Sequence, residues 1–414
     1  MSKSAELIAV GTELLLGNIA NTDAQMISQA LSMLGINVYY HTVVGDNPER
    51  LRDAVEIAKG RADIIITTGG LGPTFDDLTK QTLAASFGKK LIRNEEEMAK
   101  LYAFFEKRGT VMTKNNEQQA YLPEDCTVLT NPWGTAPGCA FEAEGKTVIM
   151  LPGPPRECKP MMYERALPYL MKYMDATIVS HEINIFGMGE SAVEDKIKSI
   201  AEHMENPTLA PYAKEGQVVL RVTGKAKSEE EADALTQPVI DTVRDLLGDV
   251  IYGVDAISLE NTVAKLLKEK GKTLSAAESC TAGLLSKRIT DIPGTSSVFL
   301  GGVVVYSNEA KENLLGVPHE LLEEFGAVSH ECANTLANNV RQLFSSDIGV
   351  GITGIAGPDG GTDEKPVGTV YVAVSAGGMI WCKTIRPQRD RALNRNMATL
   401  TALDMIRRYL EGLK

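Results

Sequence analysis

Residues 62 to 68 read Ala-Asp-Ile-Ile-Ile-Thr-Thr, and this nearly all-apolar run stops at Gly69-Gly70. A strand apolar on both faces must be covered on both, the condition of a parallel sheet between two helical layers. The neighbouring sequence repeats the unit. Ala5 to Val10 is a short apolar run ending at Gly11, and apolar residues then recur near helical spacing at Met26, Ile27, Leu31 and Leu34. Strands are expected over 36–44 and 146–151, and helices over 49–59 and from Arg156. The fold class is therefore α/β, with a doubly wound sheet at the N-terminus.

The segment from Ile178 to Tyr252 differs: it reads as strand, helix, two strands, helix and strand, the second helix running over 229–247. Two adjacent strands between helices suggest a small α+β module. After Ser258, a helix cap, the α/β alternation returns, with strands near Leu274 and over 298–306, 348–352, 368–375 and 379–385, and helices from Thr281, over 330–344 and over 389–410. A chain of 414 residues at about 150 per domain allows two or three domains. The pattern divides it into 1–170, 171–255 and 256–414.

Composition excludes several classes of function. Lys and Arg number 42 against 54 Asp and Glu, a net charge of −12, which argues against nucleic acid or an anionic membrane as the main partner. The longest apolar stretch, Val298 to Tyr306, is about half of the roughly 20 residues a membrane helix needs. Glu6 and Glu13 interrupt the N-terminal apolar region too early for a secretory signal. The six scattered cysteines form no Cys-x-x-Cys pair and read as reduced thiols. A cytoplasmic protein is expected.

Two constellations carry chemistry. The first is the loop Thr68-Gly69-Gly70-Leu71-Gly72-Pro73-Thr74-Phe75-Asp76-Asp77. Its glycines let backbone N–H groups turn toward an anion. Its aspartates would repel a phosphate unless a divalent cation sat between them. Three further loops follow strands: Gly11 to Gly17 with Glu13, continuing to Asn21; Gly45-Asp46-Asn47; and Leu151-Pro152-Gly153-Pro154-Pro155. In a doubly wound sheet such loops converge on one crevice.

These motifs resemble the molybdopterin-binding fold of the MogA and MoeA type. The form Gly-Gly-Leu-Gly-Pro-Thr-x-Asp-Asp-Leu-Thr, with Val-Gly-Thr-Glu-Leu-Leu-x-Gly near the start and Asn131, Gly134, Ala136, Pro137 and Gly138, is similar to the CinA family of competence/damage-inducible proteins. The resemblance implies metal-dependent hydrolysis of ADP-ribose to AMP and ribose 5-phosphate. Asp46 and Asp77 would be catalytic, and Asp76 or Asp77 would hold Mg, Mn or Co. Glu13, Asn21, Thr68, Gly69, Gly70, Gly72, Asn131 and Gly153 would bind substrate.

The second constellation is Ala-Glu278-Ser279-Cys280-Thr281-Ala282-Gly283 between a strand and a helix. Ser279 is a candidate nucleophile with helix-start amides as oxyanion donors. A serine there is most often a cap, so partners are needed. His319 and His330 sit poorly for a base. Lys311 and Tyr306 bracket the end of an apolar strand, and a buried lysine can deprotonate serine. Thr353-Gly354-Ile355-Ala356-Gly357-Pro358 ends another strand and can cradle phosphate, and Arg386, Arg389, Arg391 and Arg395 could clamp an anion.

Residues 258 to 414 resemble the C-terminal CinA domain, similar to nicotinamide-nucleotide amidohydrolases. The resemblance implies conversion of nicotinamide mononucleotide to nicotinate mononucleotide and ammonia without a cofactor. Ser279 would attack, Lys311 act as base and Tyr306 assist. Glu278, Thr281, Thr353, Gly354, Gly357 and Arg391 would bind substrate. The family often has Gly-Gly after this threonine, where the chain has Ala282-Gly283. The middle segment has Gly187-Met188-Gly189-Glu190 in place of an RNA-binding Gly-x-x-Gly loop, although its element order looks KH-like. The family resemblance implies a homodimer. Two other readings stand beside this one: pterin-type nucleotidyl transfer by the N-terminal domain, and a non-enzymatic DNA-uptake or recombination role.

Overall fold

A computed structural model describes residues 3–174, 176–387 and 389–413. The chain forms two compact units: one holds residues to Val179 with Lys225–Ala232, the other Ser180–Gly224 with Asp233 onward.

The first unit is built on β1 (Ser4–Val10), β2 (Asn37–Val44), β3 (Ile64–Thr68), a small ribbon of β4 (Leu91–Arg93) and β5 (Tyr121–Pro123), then β6 (Thr127–Leu129), β7 (Gly138–Ala143) and β8 (Lys146–Leu151). Its main sheet has the order β2-β1-β3-β8-β7-β6. The first four strands are parallel, and β7 and β6 add antiparallel pairs at one edge. The continuous apolar run is explained by alternation. Ile64 and Ile66 pack with Leu7, Ile27 and Ile149 on one face, while Ile65 packs with Ile8, Val55 and Val148 on the other. Asn21 and Asn47 cap the helices Thr22–Met33 and Pro48–Arg61, which follow β1 and β2. The expected helix from Arg156 begins at Pro155 but gives way after Met161 to a π-turn at Met162–Ala166, with Pro160 inside the first segment.

The second unit carries two sheets. One is four-stranded, from β9 (Thr177–Ile185), β10 (Thr208–Lys214), β11 (Gln217–Ala226) and β12 (Ile251–Val254), in the order β10-β11-β9-β12. The other is five-stranded: β13 (Leu274–Glu278), β14 (Phe299–Val304), β15 (Ile348–Gly354), β16 (Val370–Ala376) and β17 (Met379–Ile385), in the order β14-β13-β15-β16-β17. Strands β14, β13 and β15 are parallel, and β16 and β17 run antiparallel. Ser258 caps Leu259–Lys270, and Gly271 ends it in the left-handed region. No helix among the described residues is long and apolar enough to cross a membrane.

Candidate functional sites

In the first unit, parallel register brings the ends of β1, β2, β3 and β8 to one edge: Val10 faces Val44, Ala9 faces Thr68, and Thr68 faces Leu151. The order reverses between β1 and β3, the switch point where a doubly wound sheet opens its crevice. Gly11 N donates to Val44 O at 2.9 Å and Gly69 N to Leu151 O at 3.0 Å, tying neighbouring loops together. Gly69 has φ +92°, and a Cβ there would lie 2.2 Å from Val10 O. Gly70 has φ +65°, and its Cβ would meet Thr79 Oγ1 at 2.1 Å. Both positions require glycine.

The aspartates are held by their own loops. Thr12 N and Oγ1 donate to Asp46 Oδ2 at 2.9 and 2.7 Å. Thr74 N donates to Asp77 Oδ2 at 2.9 Å, and Thr74 Oγ1 donates to the same oxygen. These bonds use one oxygen of each carboxylate. No cluster of three or more metal-ligating side chains forms among the described residues. The donors present suit a hard cation that arrives with a pyrophosphate, since such an ion takes one or two carboxylates and completes its shell from phosphate and water. Asn131 lies on a different loop. It donates to Ala136 O and Glu157 Oε2, both at 2.9 Å, and lines a cleft of about 370 Å³ with Glu97, Lys100 and Phe104.

Lys80 escapes a motif reading. Its ammonium is buried and donates to Gln118 O at 2.8 Å and Gln119 O at 2.9 Å, and burial pulls its pKa down to about 8. The Gln118 side chain in turn donates to Gly72 O and Thr74 O at 3.1 and 2.9 Å. Lys80 thus braces the glycine loop. Its position on the stripe Lys80, Leu83, Ala84, Phe87 was the available signal, because that spacing marks a core-facing side.

In the second unit, Ser279, Tyr306, Lys311, Thr353, Gly354 and Arg391 line one cavity of about 160 Å³, with Cys280 and Asn308. They come from the ends of β13, β14 and β15 and the starts of two helices, Asn308–Leu315 and Arg391–Glu411. Ser279 N donates to Ile352 O at 2.9 Å, fixing the residue beside β15. Lys311 is only 2% exposed, and its ammonium donates to Tyr306 O and Ser307 O at 3.2 and 3.4 Å. Burial holds its pKa below the ordinary lysine value. Arg391 donates to Gly357 O at 2.6 Å and to Tyr306 Oη at 3.1 Å. Thr353 Oγ1 donates to Ala327 O at 2.6 Å.

Other residues named for this site stand elsewhere. Glu278 is fully buried, and its oxygens accept from Leu285 N, Ser286 N and Ser286 Oγ. That carboxylate caps a helix rather than lining the cavity. The helix expected from Thr281 starts at Leu284, because Ala282 at φ +49° and Gly283 at φ +89° turn the chain left-handed first. At Thr281, Arg395 Nη2 donates to the carbonyl at 2.7 Å, and the buried hydroxyl has no partner among the described residues. His330 packs edge-on against Tyr371, and His319 bonds Glu312 at 2.8 Å. Cys280 belongs to the main hydrophobic cluster, and burial pushes its thiol up to about 12. All six cysteines are free.

Two α/β domains with glycine-rich loops at a sheet edge, and a small α+β module between them, define a multidomain protein with two separate candidate sites. Family models match in the same order: a probable molybdopterin binding domain over residues 6–172, a damage-inducible protein CinA KH domain over 180–253 and a CinA C-terminal domain over 256–410. A CinA-like protein of Dictyoglomus turgidum is 49% identical over 408 residues, 99% of each chain. A putative competence-damage inducible protein of Acetivibrio thermocellus is 49% identical over 411 residues, 99% of this chain and 100% of that one. A solved structure of a CinA protein of unknown function from Thermoplasma acidophilum is 35% identical, covering 40% of this chain and 98% of that chain at a TM-score of 0.37. The chain belongs to the CinA family.

Proposed function

We propose that the C-terminal domain hydrolyses the carboxamide of nicotinamide mononucleotide, giving nicotinate mononucleotide and ammonia. The observation that carries this reading is the joint lining of one small cavity by Ser279, Tyr306, Lys311, Thr353 and Arg391. At about 160 Å³ the cavity suits the carboxamide end of the substrate rather than the whole nucleotide. Ser279 Oγ attacks the carboxamide carbon and its proton passes to neutral Lys311 Nζ. The tetrahedral intermediate collapses as that proton moves to the leaving nitrogen, releasing ammonia, and water then cleaves the acyl-serine. A lysine whose burial disfavours its charge is better suited to accept that proton than an ordinary lysine. Arg391 donates to Tyr306 Oη, leaving the phenol proton available for relay. The test is ammonia release from nicotinamide mononucleotide by the intact chain: none at micromolar enzyme rejects the assignment.

The N-terminal domain, in the same proposal, hydrolyses ADP-ribose to AMP and ribose 5-phosphate. The supporting observation is the convergence of four strand-end loops carrying Glu13, Asp46, Asp76 and Asp77 but no Lys or Arg. Such loops repel a bare pyrophosphate. Mg, Mn or Co held by Asp76 or Asp77 would supply the charge neutralisation. The glycine-loop amides orient the phosphates, and Asp46, fixed by Thr12, is the candidate base for water. AMP release from ADP-ribose by the intact chain, with and without the metal, is the measurement. No AMP with any of the three ions ends this half of the reading.

A further inference from the structure

The strand-end loops of the first unit carry glycine and acid, and beside them exposed apolar side chains. Phe75 stands 92% exposed in the middle of the glycine loop. It joins none of the hydrophobic clusters and no ring pair among the described residues. Floppiness does not explain that exposure, since the backbone on both sides is pinned. Gln118 Nε2 donates to Gly72 O and Thr74 O, Asn115 Nδ2 to Pro73 O at 3.0 Å, Thr74 N to Asp77 Oδ2, and Asp77 N to Thr74 O at 3.2 Å. The neighbouring loop after β1 also turns apolar side chains outward: Leu15, Leu16 and Ile19 are all exposed, Leu16 at 69%. Leu15 is placed by Gly45, where an added Cβ would lie 3.3 Å from Leu15 Cδ1. So the loops that carry Glu13 and Asp77 also carry exposed apolar side chains.

A ligand with only phosphates and sugar has no use for such side chains, whereas a nucleotide does. An aromatic ring carried on a fixed backbone beside a phosphate cradle is a stacking platform for a base, and two χ angles make its ordering cheap. We infer that Phe75 stacks on the purine base of the bound nucleotide and distinguishes the nucleoside phosphate half of the substrate from the sugar phosphate half. The inference rests on the nucleotide reading of this crevice, not on hydrolysis there.

The test is equilibrium binding of AMP and of ribose 5-phosphate to the full-length chain by calorimetry, with Mg present. In Phe75→Ala the AMP dissociation constant rises about tenfold, within the range measured for base–aromatic stacking, while that of ribose 5-phosphate stays the same. Phe75→Trp restores AMP binding. The inference is overturned if the wild-type chain does not bind AMP, if Phe75→Ala leaves AMP binding intact, or if it weakens both ligands alike. It is also overturned if the variant changes only the oligomeric mass, since the ring would then be a contact between copies. A chain that binds AMP through Phe75 yet releases none from ADP-ribose keeps the stacking platform and loses the hydrolase.

Discussion

Two adjacent side chains, Ser279 and Cys280, border the C-terminal cavity, and their environments predict opposite outcomes for their removal. Thiols attack as thiolates. With the Cys280 thiol pushed up to about 12, about one molecule in 10⁵ carries a thiolate at pH 7, a penalty of ~7 kcal/mol on any route through it. Arg395 and Arg391 favour the thiolate, but burial in the core outweighs them. Serine does not need to be ionised beforehand, because Lys311 can take its proton during attack. Ser279→Ala should therefore lower kcat for ammonia release from nicotinamide mononucleotide by about 10⁴-fold or more, the scale for loss of a nucleophile. Cys280→Ala should leave kcat within about threefold. Its core position costs some stability, so thermal unfolding is recorded alongside the coupled ammonia assay. A folded Cys280→Ala protein that is dead, beside a Ser279→Ala protein that turns over, would refute the reasoning.

Lys311→Met should abolish ammonia release while raising the unfolding temperature at pH 7, because it removes a charge whose burial costs stability; a variant that is both active and less stable contradicts this. The sign for pH follows. A lysine with a folded pKa below its unfolded one makes the unfolded chain bind more protons between the two values, so stability climbs with pH there, and kcat/KM climbs with pH through the lowered value as the base becomes neutral; a flat profile up to pH 10 argues against Lys311 as base. For Lys80 the interval from 10.5 to about 8 corresponds to ~3 kcal/mol. Relative to Lys80→Met, the native chain should gain about that much between pH 7.5 and 10.5, measured by urea unfolding at Trp133 fluorescence in a Trp381→Phe background; parallel curves refute it. Ala282→Gly should stabilise the chain by up to about 1 kcal/mol, because φ +49° costs an alanine more than a glycine, and a destabilised variant would show that its methyl packs productively. EDTA should stop AMP release from ADP-ribose and leave ammonia release unchanged; inhibition of both activities contradicts the separate electrostatics of the two sites.

Much of the fold was legible because its signals are local. Strand β8 falls on the expected 146–151, β17 on 379–385, and the helix Glu229–Leu247 on its periodic run. The cap at Ser258 holds as a side-chain acceptor for Asn261 N. What sequence could not show is which way the chain turns just before a helix. Thr281-Ala282-Gly283 reads as a helix start, yet two left-handed residues delay it to Leu284, and that delay directs Glu278 to the helix amides. The antiparallel edge of β7 and β6 was hidden for a similar reason, since short strands of three to six residues carry little periodicity. The buried Lys80 was the harder case. Position 80 looks like a solvated helix residue until Leu83, Ala84 and Phe87 are seen to share its face.

A net charge of −12 is indifferent to where anions would bind, and the two candidate sites carry opposite charge inventories. Among the described residues the C-terminal cavity is lined by Lys311 and Arg391 and by no carboxylate. Arg391 gives it a fixed cation for an anionic group, whereas the desolvation that lowers the Lys311 pKa suits that residue to the proposed role of base. The N-terminal crevice has the reverse inventory, with four acidic side chains on loops that hold no Lys or Arg. Backbone amides can orient a pyrophosphate there, but they carry only partial charge and cannot offset four carboxylates. The proposed cation dependence of one site and independence of the other therefore rest on which side chains the loops carry, separately from the chemistry proposed for either.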